Sequence, residues 1–347
     1  MSCLNRFDLP PADGYRARMK LRLVLFWFVL TTIVVLLPSR SPAPLMYIPG
    51  EGWYYEPFGE NNAWVRPRAK DQLAVAEESF NNKNYSIALH AAHRVLRLWP
   101  LSDYAPRAAF LIGRCLETRG KDEAAFNSYQ RIIEHYPRAG EYNDVLHRQY
   151  EIANRFLAGE WFRIWNTIPL YPSMDETAKL YAKIVNNGPY SEVAPLAQMK
   201  IGAAREKQRD YAAAVKAYET AADRYHDQPA IAADAMYRAG FAWEKQADTA
   251  EYDQGAAAQA IAAYTDFSTV YPDDKRVAAT QKSIVKLKAE QVRGNFQIAE
   301  YYQKRKKWDG AAVYYSAVLQ LDATSPLANE ARKRLDALKP HLSRASK

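Results

Sequence analysis

Pairs of small residues twelve positions apart recur along this chain, and they confine it to one kind of architecture. Ala76/Ala88, Gly113/Ala125, Gly202/Ala214 and Ala299/Ala311 all keep that interval. Two antiparallel helices that cross closely need a small side chain on each partner, and this spacing puts one crossing residue in each helix of a unit of about 34 residues. Four positions after the second small residue comes a bulky one, Tyr129, Tyr218 or Tyr315, with Ala92 in the first copy. Two more copies share the second-helix pattern behind insertions. Thr177-Tyr181-Ile184-Pro189 comes after extra residues around Gly159–Asp175, and Ala260-Tyr264-Phe267-Pro272 comes after extra residues around Ala247–Gln254. Pro100, Pro137, Pro189 and Pro272 end the second helices, since proline cannot donate to the helical ladder.

The period predicts an all-α tetratricopeptide-repeat superhelix over residues 69–338, in six helix–turn–helix units. One unit buries too little apolar surface to stand alone; stacking supplies a continuous core and a concave face lined by the first helices. Asn84-Tyr85, Asp210-Tyr211 and Trp308-Asp309 mark turns between paired helices. From Lys275 to Arg305 there is no proline, and Val277, Ile284, Leu287, Phe296, Ala299 and Tyr302 keep a helical spacing, which predicts one helix of about thirty residues. A closing helix over Leu327–Leu338 has a polar outer face suited to a cap, and residues 339–347 form a tail.

Ahead of the repeats, residues 23–37 form an uncharged apolar run, the length of a signal-peptide core and short for a membrane span. Arg16, Arg18, Lys20 and Arg22 precede it, so the positive-inside rule places the chain beyond residue 38 outside the cytoplasm. Residues 1–43 read as a signal peptide or signal anchor, with Met19 (MKLR) as the expected true start. Ser41-Pro42-Ala43 offers a cleavage site that Pro44 disfavours, leaving an uncleaved anchor as the alternative. Residues 44–68, rich in Pro, Gly and aromatics, read as an extended linker or strap.

The formal charge is +8, but six of the 47 basic residues and two of the 39 acidic ones lie in residues 1–43, so the remainder carries +4. That near-balance argues against a nucleic-acid partner. The two cysteines, Cys3 and Cys115, cannot form a disulfide framework beyond the apolar run, and Cys115 among Phe110, Leu111, Ile112 and Leu116 reads as a small core residue. His90 and His93 share a helix face, but no nearby carboxylate or cysteine completes a metal site. No phosphate loop or nucleophile elbow is present, so the expectation is a non-enzymatic protein-binding scaffold with no cofactor or small-molecule substrate. Lys304-Arg305-Lys306-Lys307 reads as favourable charge at a helix C-terminus or as a contact for an acidic partner or lipid headgroups. The insertion at 161–174 either folds back over the third repeat or serves as an apolar anchor through Trp161 and Trp165.

In the C-terminal third, AAYTDFSTVYPDD (262–274), the long helix and FQIAEYYQKRKKWDGAAVYYSAVL (296–319) resemble the BamD family, also called ComL or YfiO. The resemblance spans roughly 69–338 and is most specific at 262–319. It implies a periplasmic component of the machine that assembles outer-membrane β-barrels, with the barrel-forming subunit and unfolded outer-membrane proteins as partners. The partner-docking surface would then lie around Lys288, Arg293, Tyr301, Tyr302, Arg305 and Trp308. The client groove would lie on the first helices of the first two repeats, where Leu73, Glu77, Phe80, Phe110 and Arg114 are the projected inward positions. The expected location is the periplasmic side of the envelope, at the outer membrane, or at the inner membrane if the signal stays uncut. Two departures stand out: no cysteine directly follows the apolar run to carry a lipid, the next being Cys115, and there are six units where the family has five. A Tol-associated or cell-wall-enzyme repeat adaptor is the alternative.

Overall fold

The computed structural model describes residues 45–48, 52–55, 64–164, 168–249 and 254–345, and among these thirteen helices succeed one another as six antiparallel pairs and a closing helix. The chain divides into two compact units, Met1–Ala63 and Trp64–Lys347. In the first, β1 (Leu45–Ile48) and β2 (Gly52–Tyr55) pair antiparallel, Leu45 opposite Tyr55 and Ile48 opposite Gly52. Part of the segment read as an extended linker is thus a hairpin. The apolar run at 23–37, the leader, Met19 and Trp165 lie outside the described residues.

The second unit is the repeat array. Its pairs are α1 (Ala69–Asn81) with α2 (Tyr85–Leu98), α3 (Ala105–Thr118) with α4 (Asp122–His135), and α5 (Tyr142–Ala158) with α6 (Met174–Asn187). They continue as α7 (Val193–Lys207) with α8 (Tyr211–Arg224), α9 (Pro229–Thr249) with α10 (Gln254–Val270), and α11 (Val277–Lys304) with α12 (Trp308–Leu321); α13 (Pro326–Ala345) closes the stack. Three of the second helices start behind short polar caps: Asn84, Ser173 and Asp210 accept from Ile87 N, Glu176 N and Ala213 N. The first helices of successive units touch one another, α1 on α3, α5 on α7, α7 on α9 and α11 on α13. The long helix is 28 residues. The segment read as a tail stays helical to Ala345, and Pro340 lies inside α13. His341, one residue on, stacks on Trp308 at 4.4 Å and ties that turn to α12.

The small-residue code has a structural cause. A Cβ built on Gly113 would meet the Tyr129 ring at 2.3 Å, one on Gly202 the Tyr218 ring at 2.4 Å, and one on Gly240 the Tyr264 ring at 2.7 Å. Each tyrosine is buried, so its hydroxyl must find a partner inside the pair of helices. It finds one a single turn beyond the crossing residue of the first helix. Tyr129 donates to Glu117 (3.1 Å), Tyr264 to Glu244 (2.7 Å) and Tyr315 to Gln303 (2.6 Å). In the third unit Tyr181 donates to Asn154 (2.7 Å). Tyr218 faces Glu206 in the same way but outside hydrogen-bonding geometry. The first unit reverses the volumes: Ala92 replaces the tyrosine, and Phe80 stands where the acceptor would be.

Cations from the next unit tie these pairs to the layer above. Arg155 on α5 grips Asp122 with two contacts, 2.6 and 2.7 Å, and reaches Glu117 at 3.3 Å. Arg334 on α13 bonds Glu300 at 2.9 Å and donates to the Tyr315 hydroxyl at 3.2 Å. Charge-assisted contacts of this kind fix geometry as well as energy, so they set how one unit sits on the next.

The insertion in the third unit is a second hairpin, β3 (Phe162–Ile164) with β4 (Ile168–Tyr171), irregular between Phe162 and Arg163. Its root folds back onto the unit: Phe162 stacks on Phe156 of α5 at 4.2 Å. Trp161 stays 50 % exposed.

Candidate protein-binding site

Two surfaces carry the residues singled out from sequence. On the first, α1 and α3 lie side by side. Glu77 of α1 accepts from Arg107 of α3 at 2.9 Å, and both are partly exposed. Arg114 holds its guanidinium 5.4 Å over the Phe80 ring, which meets Tyr85 edge-on at 5.5 Å. Arg107 lies 5.9 Å above Phe110. Leu73 and Phe110, projected as inward-facing groove positions, are instead buried at 7 % and 6 % exposure. Both lie on the same helical stripe as the exposed residues, Leu73 four and seven positions before Glu77 and Phe80, and Phe110 between Arg107 and Arg114. They form its buried floor where α1 packs on α3, with the Arg107 guanidinium over the Phe110 ring. What remains at the surface is Glu77, Phe80, Arg107 and Arg114, an apolar ring framed by paired charges.

The second surface runs along α11 into α12. Lys288 and Arg293 are exposed on successive turns, and Tyr301 is 52 % exposed with Arg305 stacked 4.6 Å over its ring. Tyr302 turns inward and stacks on Tyr314 at 5.6 Å, while Trp308 is half-buried against His341. Lys288, Arg293, Tyr301 and Arg305 are the exposed members of this set, spread over more than one side of α11, whereas Tyr302 and Trp308 are partly buried in ring contacts. Val285 (68 %) is exposed towards the start of α11 and Val313 (65 %) on α12; sequence periodicity had passed over both.

Sequence reasoning also missed a cleft of about 690 Å³ between the loops that end the third and fourth units. Pro189, Tyr190, Pro195, Arg224, Tyr225 and His226 line it, and Tyr190 is fully exposed. The GPY loop at 188–190, with its exposed tyrosine, was the available signal.

Cys115 is fully buried, and burial pushes its thiol up to about 12, so it is no nucleophile near neutral pH. Among the described residues no three His, Cys, Asp or Glu side chains are placed to hold a metal ion, and no helix is long and apolar enough to cross a membrane.

Residues 173–344 match the family YfiO, outer membrane lipoprotein, and residues 107–139 match a tetratricopeptide repeat. Over its second half the chain is similar to the YfiO family. The YfiO match begins at Ser173, the cap of α6, and covers every unit from there to the closing helix of this YfiO-like array, including the α11–α12 surface. Phe110 and Arg114 fall in the repeat match; Leu73, Glu77 and Phe80 fall in neither. No curated protein matches the chain significantly. Solved structures similar to it include the C-terminal part of a TPR repeat-containing protein from Cytophaga hutchinsonii (16 % identity, 78 % of this chain and 89 % of that one, TM-score 0.37). A TPR repeats protein from Bacteroides fragilis is also similar (15 %, 80 % and 100 %, TM-score 0.36). The YfiO-like array is a protein-interaction scaffold.

Proposed function

We propose that this scaffold works on the periplasmic side of a bacterial envelope, in the assembly and insertion of outer-membrane β-barrel proteins. The observation that carries the reading is the YfiO match over residues 173–344, whose family is described as an outer membrane lipoprotein. The apolar run at 23–37, flanked by basic residues on its N-terminal side, supports export. In this reading the α11–α12 surface docks to the barrel-forming subunit. Its exposed Lys288, Arg293 and Arg305 suit an acidic partner face, and Tyr301 supplies an aromatic anchor of the sort that dominates interface energies. The α1–α3 surface engages unfolded clients: Phe80 offers an apolar seat, and Glu77, Arg107 and Arg114 offer polar clamps for an extended chain. The sequence has only Cys3 and Cys115, neither closely behind the apolar run, so attachment rests on the apolar run or on the array itself.

The test is photo-crosslinking from position 301 in whole envelopes, then pull-down. Recovery of a barrel-forming assembly subunit supports the proposal. Recovery of Tol or cell-wall proteins alone overturns it, as do unchanged levels of outer-membrane barrels after depletion.

A further inference from the structure

The array has two edges, and they carry opposite charge. Paired helices are antiparallel and successive units stack first helix on first helix, so the turns within units fall along one edge and the loops between units along the other. The four uninserted turns, 82–84, 119–121, 208–210 and 305–307, hold seven basic residues, with Lys83, Arg119 and Arg209 among them and three in a row at 305–307. Against these stands Asp210 alone. The six loops between units, from 99–104 to 322–325, hold seven acidic residues and three basic ones. Helix dipoles do not create this difference. Each unit gives one helix C-terminus and one N-terminus to each edge, so the dipolar preference is the same at both.

Two further observations point the same way. Lys83, Arg209 and Lys306 adopt φ of 59°, 61° and 61°, the left-handed conformation that Gly120 (φ 67°) takes at the equivalent place in the second unit. Glycine reaches that conformation without strain and a lysine or arginine does not, so three turns keep a long cation where a less strained residue fits. The turn of the third unit, on this same edge, is the β3–β4 hairpin with Trp161 half exposed at its root. In sequence, the fifth turn (250–253) carries Glu251 and Asp253 and interrupts the basic run; it lies outside the described residues.

We infer that the turn edge is the face this array presents to an anionic phospholipid surface, its cations meeting the headgroups and Trp161 entering the interfacial layer. The cations are spread along an edge rather than gathered into one pocket, which suits a planar charged surface better than a single peptide or ion. Lysine and arginine stems and a tryptophan ring are the groups that settle at the boundary of headgroup and acyl chain. A bilayer is within reach of this chain through residues 23–37. The inference shares only Arg305 with the docking surface proposed above and is otherwise independent of which protein the scaffold carries.

The test uses the full chain with Cys3→Ser, leaving buried Cys115 in place, and one fluorophore at Asn82→Cys, Gln208→Cys, Leu101→Cys or Tyr190→Cys. The vesicles contain phosphatidylglycerol and a headgroup quencher. Quenching at 82 and 208 is expected to exceed that at 101 and 190 several-fold, and the bias should vanish in phosphatidylcholine alone or at high salt. It should also vanish in Lys83→Asn/Arg209→Asn/Lys306→Asn, because asparagine tolerates the left-handed backbone and leaves the fold intact. Equal quenching at the two edges, or a bias that survives the triple substitution and high salt, overturns the inference.

Discussion

Replacing Gly113 by alanine tests the packing rule on which the whole array rests. The added methyl would lie 2.3 Å from Tyr129 Cε1 and 2.7 Å from Cδ1 and Cζ, against the ~3.5–4.0 Å of ordinary carbon contact. The ring cannot simply swing away. It is wholly buried, lies 5.7 Å from the Phe110 ring, and its hydroxyl is held by Glu117. Overpacking of this kind costs ~1–3 kcal/mol, and loosening a hydrogen bond to a charged group costs ~1.5–3 kcal/mol more if it breaks. Helix propensity returns about 1 kcal/mol for Gly→Ala. The net expectation is a loss of about 2 kcal/mol. In a Tyr129→Ala background the clash is gone and only the propensity gain remains, so Gly113→Ala should stabilise by up to about 1 kcal/mol. The coupling between the two sites is then about 3 kcal/mol. Repeat arrays open unit by unit, so native-state hydrogen exchange of the α3 and α4 amides is the appropriate assay, backed by urea melts monitored by circular dichroism. A Gly113→Ala effect of the same size and sign in both backgrounds refutes the reasoning. So does stabilisation in the wild-type background.

Other perturbations probe the same contacts. Arg155→Met strips the bidentate partner from Asp122, which is only 6 % exposed; because Arg155 itself is 38 % exposed, the expected loss is about 2 kcal/mol in urea, below the cost of breaking a fully buried pair. An effect within about 0.5 kcal/mol would show that the contact does no more than an ordinary surface ion pair. Lys83→Gly and Arg209→Gly should each raise stability by up to about 1 kcal/mol by relieving left-handed strain, and Gly120→Ala should lower it by a similar amount; the opposite order in thermal melts would contradict this. Hydrogen bonds from the Arg276 side chain hold the Asp274 carboxyl down at about 2. Its folded value lies below its unfolded one, so the stabilisation is complete above pH ~4 and drains away as pH falls towards 2. In Arg276→Gln the Asp274 carbon resonance should titrate in the ordinary carboxylate range, and a midpoint still near 2 would put the cause elsewhere. Phe162→Ala, which removes the stack on Phe156, should lower the melting temperature more than Trp161→Ala, whose ring is half in solvent.

Much of this fold is legible in the sequence because one geometric demand repeats. Ala76, Gly113, Gly202 and Ala299 are small for the same steric reason, and α11 announces itself by the absence of any proline from 275 to 305. The hydrogen-bond partners were legible too and went unread. Glu117, Asn154, Glu206, Glu244 and Gln303 all sit one turn past a crossing position, a pattern that only gains meaning once the tyrosine hydroxyls are known to point there. The hairpins were hidden, since strands of three or four residues leave no usable alternation and β4 contains Pro169. Leu73 and Phe110 share the helix stripe of Glu77, Phe80, Arg107 and Arg114 but lie buried at its floor. Periodicity shows which positions are apolar, but the tilt of one first helix on the next decides which of them see solvent.

The long helix α11 belongs to two layers at once. Ile284 and Leu287 pack with Tyr264 and Ala260 of α10, whereas Val292, Phe296 and Ala299 pack with α12 and α13. At 1.5 Å per residue it is a rod of about 40 Å clamped at both halves. A swivel between the fifth unit and the sixth must therefore either slide the Ile284 and Leu287 contacts on α10 or bend this helix between its two clamped halves. As long as the α10 contacts hold, a pull or twist applied at Tyr301 reaches the fifth unit along a single lever arm. Gly294, close to the changeover between the two halves, is the point at which that rod would yield first.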